Sequence, residues 1–149
     1  SMGLSGGLRR ARAELREALQ SLPPDAWFQV LFYNRGVEPA LPAGAGGMLR
    51  ADPATIDQAL ARIEEVTASG GTSHLPALQA ALWLRPEAVV LITDADDLSR
   101  ADVQAVTRVN AGRSRIHVAE VTRPGRASPT LALLASVNGG THQALPPVP

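Results

Sequence analysis

The continuous apolar run over residues 88–93 constrains the fold of this chain more than any other segment, because its only polar residue is the final threonine. Such a run predicts a strand that is buried on both faces, as the strands of parallel sheets are. Residues 27–33 and 116–121 form two further, mostly apolar runs of strand length. Parallel strands need long crossover connections, and segments with helical periodicity separate the three runs. The pattern therefore predicts a doubly wound, mainly parallel α/β sheet flanked by helices.

Local signals place the ends of the predicted helices. Asp52 before Pro53 is a typical helix start, and Ser99 with Asp102 forms an approximate capping box. The pair Gly139-Gly140 predicts a helix end. We expect a ragged edge strand or hairpin within residues 36–51 and a last strand at 141–145. The predicted helices cover residues 8–22, 53–67, 74–84, 99–110 and 129–137.

The order of these elements predicts one domain over residues 1–145 and a proline-rich tail over residues 146–149. Doubly wound folds normally open with a strand that lies in the middle of the sheet, whereas this chain opens directly on a helix. We therefore expect the first strand to be missing and a gap to lie between two mid-sheet strands. Unpaired backbone in such a gap is costly, so we expect a partner strand, self-association or strand exchange to fill it.

The composition narrows the classes of partner. The chain of 149 residues carries 14 basic and 14 acidic residues, a balance that argues against general nucleic-acid binding. No apolar run approaches the roughly 18 residues of a membrane span, so no membrane partner is expected. The chain contains no cysteine and no lysine, which excludes thiolate metal sites and every mechanism that needs a lysine.

Oxygen-bearing side chains cluster where the predicted parallel strands would end. The turn at residues 70–73 and the acidic segment at residues 94–97 both fall at the carboxyl edge of the sheet, where α/β proteins bind ligands. Hydroxyls and carboxylates without a cluster of histidine or cysteine suit a hard cation such as Mg²⁺ or Mn²⁺. An incomplete protein shell would leave a coordination position for a carboxylate from a partner.

The same segments resemble the second and third metal loops of von Willebrand factor type A domains. The resemblance is carried by Gly70-Gly71-Thr72 and the helix after it, by residues 90–94, and by the 28–34 segment after its Leu-Pro-Pro-Asp turn. It implies a protein-binding module that engages an Asp or Glu of a partner through a metal-ion-dependent adhesion site. By position, Thr72, Asp94 and Ser1 would be the metal ligands. The family's first-loop aspartate and first serine have no counterpart here, and Ala95 replaces a frequent glycine.

Other interpretations of these residues stay open. Thr72 or Ser73 could cap the following helix, residues 94–97 could be a solvated acidic turn, and His74 could be an ordinary first-turn residue. The chain could be a metal-free interaction scaffold. The Asp94-Ala95-Asp96 sequence also fits the outline of an aspartate-dependent phosphatase or phosphotransferase. Leu98 does not match the Thr or Val that the haloacid dehalogenase pattern requires, so we expect no enzyme. Trp27 and Trp83 are expected to lie in or near the core.

Overall fold

The structure is a computed structural model that describes residues 5–67, 72–95 and 97–149. Within these ranges, the helices are α1 (Ser5–Gln20), α2 (Pro53–Glu65), α3 (His74–Trp83), α4 (Arg100–Asn110) and α5 (Pro129–Val137). The strands are β1 (Trp27–Phe28), β2 (Leu31–Tyr33), β3 (Val37–Pro39), β4 (Leu49–Arg50), β5 (Ala88–Thr93), β6 (Arg115–Val121) and β7 (His142–Leu145). No helix in the described part of the chain is both long and apolar enough to span a bilayer.

The predicted helix boundaries are confirmed by their capping geometry. The Asp52 carboxylate accepts a hydrogen bond from the Thr55 N–H at the start of α2. Ser99 and Asp102 form a reciprocal capping box at the start of α4. The end of α5 is followed by Gly139 at a φ of +70°, a conformation that glycine adopts without the cost of a Cβ.

Strands β5, β6 and β7 form a parallel sheet in that order. Val89 and Leu91 on β5 lie beside Ile116 and Val118 on β6, and all four side chains are buried. Helices connect the successive strands, as parallel pairing requires. The predicted α/β class with a parallel sheet flanked by helices is therefore confirmed.

The segment 27–33 differs from its prediction as one continuous strand. It is divided into β1, which pairs antiparallel with β4, and β2, which pairs antiparallel with β3. The Gln29 side chain lies at the division, where its oxygen accepts the Val30 N–H and its amide group donates to the carbonyls of Leu41 and Gly47. This side chain takes up backbone groups at the point where the segment changes partner strand.

The buried apolar residues form two clusters. One joins β5 and β6 to α3, α4 and α5, and is centred on Leu78, Ile116, Leu131 and Leu134. The other joins α1 and α2 to the segments around β1–β4, and includes Phe28, among others. A single domain of this size usually has one contiguous core. Here the division between the clusters runs alongside β5.

Neither tryptophan lies in the core, so that prediction was wrong. The exposed fraction is 59% for Trp27 and 86% for Trp83. Helix α3 buries Leu78 and Leu82, and Trp83 lies off that stripe. Trp27 is instead covered on one face by the guanidinium of Arg50, 5.7 Å from the ring centroid.

Candidate functional site

A groove of about 1420 Å³ separates residues 27–34 from residues 88–94. Its walls are therefore the β1–β2 segment on one side and β5 on the other. Apolar residues of α1 line it, and so do apolar residues of α3. Among the described residues, these two strand segments share no backbone pairing, because β5 pairs with β6 and β2 pairs with β3.

The two walls of the groove run in the same direction. Near their amino ends, Gln29 contacts Gly47, and Gly47 approaches Leu84 at the end of α3. Near their carboxyl ends, Tyr33 and Thr93 both lie against His74 at the start of α3. The carboxyl ends of both walls therefore meet at the same edge.

Two of the three predicted metal ligands lie at this edge. Thr72 precedes α3, Asp94 follows β5, and both line the groove. A Cβ placed on Gly7, in the first turn of α1, would lie 3.7 Å from Asp94 Oδ2, so the Asp94 carboxylate lies beside the amino end of that helix. Ser1, the third predicted ligand, lies outside the described residues, as does Asp96.

The donors at this edge have suitable chemistry for a hard cation, but they are few. Thr72 supplies a hydroxyl and Asp94 a carboxylate, whereas Mg²⁺ takes about six oxygen ligands. Residues 5–67, 72–95 and 97–149 contain no group of three or more His, Cys, Asp or Glu side chains that could hold a metal ion. A cation here would need further ligands from water, from a partner or from residues outside the described ranges.

A buried hydrogen-bond network lies directly behind these two residues. His74 has no exposed surface, and its Nε2 lies 2.8 Å from Thr93 Oγ1. Its Nδ1 is hydrogen-bonded to the Asp97 carboxylate, which also accepts the His74 backbone N–H at 3.4 Å. Thr93 Oγ1 accepts the Ala95 N–H at 3.1 Å. The network thus fixes the start of α3 against the loop that carries Asp94.

Tyr33 adds a titratable group to this network. Its ring meets the His74 ring edge-on, with 5.6 Å between the centroids. Burial raises the pKa of Tyr33 to about 12, and the charge of Asp94 raises it further, while a hydrogen bond with Thr93 opposes the shift. Sequence patterns gave no signal for this role, because Tyr33 resembles any aromatic strand residue.

The raised pKa predicts a loss of stability in alkali. The unfolded chain releases the Tyr33 proton near its ordinary pKa of 10.0, whereas the folded chain keeps it to about 12. Tyr33 therefore costs no stability below pH 10, and the free energy of unfolding falls between pH 10 and 12. At pH 11 the loss should be about 1.4 kcal/mol.

Tyr33 is the only tyrosine of the chain, so tyrosinate absorbance reports it alone. We expect a titration midpoint well above 10, and Tyr33→Phe should remove the corresponding part of the alkaline destabilisation. A midpoint at the ordinary tyrosine value would contradict the burial of this hydroxyl.

A second buried carboxylate lies further along the same edge. Glu120, paired in register with Thr93, is 5% exposed. Both of its oxygens accept the Ser128 N–H at the start of α5, and His142 Nε2 lies 2.7 Å from Oε2. These contacts join β6, β7 and α5, and we assign Glu120 a structural role.

The fold is that of a von Willebrand factor type A domain. The chain is similar to a solved von Willebrand factor type A protein from Catenulispora acidiphila, with a TM-score of 0.80 and 22% identity. That alignment covers 95% of this chain and 34% of the other, so the chain spans about a third of that protein's length. It is also similar to an aerotolerance-related membrane protein from Bacteroides fragilis carrying multiple mutations to serines, with a TM-score of 0.69 and 13% identity over 93% of this chain and 80% of that one. No protein-family profile and no curated protein matches the sequence.

Proposed function

We propose that this chain is a protein-binding module whose binding site is the carboxyl edge of the sheet. In this proposal Thr72 and Asp94 hold a divalent cation, Mg²⁺ or Mn²⁺, and a carboxylate of a partner protein completes the coordination. The observation that carries the proposal is that both residues line the same groove at the ends of their elements.

The surroundings of Asp94 support this assignment. The first turn of α1 lies beside its carboxylate, and the partial positive charge of a helix amino end favours an anion there. The His74 network holds the Thr93 end of β5 and the start of α3 together, so Thr72 and Asp94 are carried on supported segments. When bound, the cation would supply the positive charge that attracts a partner's Asp or Glu.

A metal-free interaction scaffold is the second candidate, and one observation favours it. Asp97, the remaining described carboxylate of the acidic segment, is engaged by His74. Thr72 and Asp94 are then the protein oxygens that the described residues offer, fewer than a closed site needs. Neither candidate includes a catalytic step, and we expect no turnover of a generic phosphate ester.

Metal titration separates the two candidates. We expect calorimetry with Mg²⁺ or Mn²⁺ to show saturable binding that Asp94→Ala abolishes, because the only carboxylate of the proposed site is then lost. Asp57→Ala is the matched control, since Asp57 lies on the exposed face of α2 and should leave binding unchanged. No binding to the unmodified chain, or equal binding by the Asp94→Ala variant, would favour the metal-free scaffold.

The partner's chemistry can be tested on the same samples. Peptides that differ only in Glu or Gln at one central position should bind with different affinities in Mg²⁺ and with equal affinities in EDTA. A preference for Glu that persists in EDTA would argue against a role for the cation.

A further inference from the structure

We propose that the groove beside β5 is a receptor for one extended strand of a partner polypeptide. The strand would be about six residues long, apolar at successive positions and hydrogen-bonded to β5 along its free edge. This interaction goes beyond the proposed function, because it uses the body of the groove and requires neither Asp94 nor a cation.

The first step in the argument is the free edge of β5. This strand of six residues pairs with β6 on one side, and within the described ranges no strand pairs with its other side. An unpaired apolar strand edge presents a row of N–H and C=O groups that readily bind another chain. The edge faces the groove, because residues 88–94 form one of its walls.

The second step is that the groove is covered on both faces of the sheet. Leu8, Ala11 and Leu15 of α1 line it, as do Ala77, Leu78 and Ala81 of α3. A strand that entered would be buried on both sides, and strands in that position are apolar almost without interruption. A charged side chain would be buried without a partner at considerable cost, which defines the occupant as uncharged.

The third step concerns Val90. This residue lies in the middle of β5 and lines the groove, yet 54% of its surface is exposed. Its neighbours Val89 and Leu91 are at most 9% exposed. Val90 is thus exposed toward the open groove, and an inserted strand would bury it.

The size and direction of the groove favour a polypeptide over a small molecule. Its volume of about 1420 Å³ exceeds the roughly 300–1,000 Å³ of typical small-molecule sites. A six-residue strand spans about 20 Å, the length of β5 itself. Because both walls run in the same direction and β6 is parallel to β5, we expect the bound strand to be parallel to β5 as well.

A peptide with the sequence of residues 87–94, flanked by arginines for solubility, is a suitable probe because it is apolar on both faces. We expect it to bind saturably in EDTA, by fluorescence anisotropy, and to bind the Asp94→Ala variant equally well. The same peptide with alternate backbone nitrogens methylated should bind at least about tenfold more weakly, since it cannot complete the ladder. Failure of metal binding would leave these expectations unchanged, so the two proposals can fail separately.

Two variants place the peptide in the groove. Val90→Arg should fold, because the side chain is already exposed, and should weaken binding about tenfold or more by requiring burial of a charge. Val109→Arg is the matched control, since Val109 is 48% exposed on α4 and does not line the groove. It should bind within about twofold of the parent chain. Absence of saturable binding, equal binding of the methylated peptide, or an equal effect of both variants would overturn the proposal.

Discussion

Replacement of Gly140 by alanine is expected to lower the free energy of unfolding by about 4 kcal/mol or more. A Cβ at this position would lie 1.9 Å from the Ile116 carbonyl oxygen and 2.9 Å from the His117 nitrogen. Both are backbone atoms of β6, which pairs with β5 and β7 and cannot move aside without disturbing the sheet. A loss of this size is comparable to the total stability of a small domain, about 5–15 kcal/mol.

Urea denaturation followed by circular dichroism would measure the effect as a lower transition midpoint, or as a chain that is unfolded without denaturant. Gly46→Ala is the matched control, because nothing lies within 4 Å of its added Cβ. We expect its midpoint to stay close to that of the parent chain. Equal midpoints for the two variants would show that β6 and the segment after α5 are not in close contact.

The sequence was sufficient where the determining interactions are local. Asp52 and Ser99 were predicted as helix caps because each bonds to a residue three positions away. The strand at 88–93 was predicted from its unbroken apolar run, and its parallel pairing from the helices around it. The division of the 27–33 segment was missed because it depends on Gln29 contacting Leu41 and Gly47, which no local pattern encodes.

Part of the candidate site follows from topology alone. Thr72 and Asp94 were placed at one edge because the carboxyl ends of parallel strands meet there, and both line the groove. The network of Tyr33, His74 and Thr93 was not predicted, since its members are 19 or more positions apart in the chain and acquire their roles through tertiary packing. Metal binding itself stays a prediction.

The burial of Trp83 was mispredicted for a related reason. Helix α3 has apolar side chains on most of its surface, so its periodicity does not identify the face that meets the sheet. The position of the groove and of the adjacent core cluster decides which side chains are buried. Leu78 and Leu82 meet that cluster, whereas Trp83 is exposed.

Replacement of His74 by alanine should lower the free energy of unfolding by about 3 kcal/mol. The imidazole is completely buried, so its removal leaves a cavity between β2 and β5. Thr93 and Asp97 also lose a hydrogen-bond partner. His117→Ala is the matched control, because His117 is only half-buried and its ring bonds to Thr141 near the surface; its loss should stay below about 1 kcal/mol.

The same variant tests whether His74 organises the candidate site in addition to filling the core. The His74 ring covers Tyr33, so its removal should admit water to the phenol and lower the tyrosinate titration midpoint from about 12 toward the ordinary value. Leucine at position 74 would fill the cavity without restoring the bonds to Thr93 and Asp97. A leucine variant should therefore recover part of the stability while the affinity for the divalent cation stays reduced. Full recovery of both properties would show that His74 acts by volume alone and that the network does not support Thr72 and Asp94.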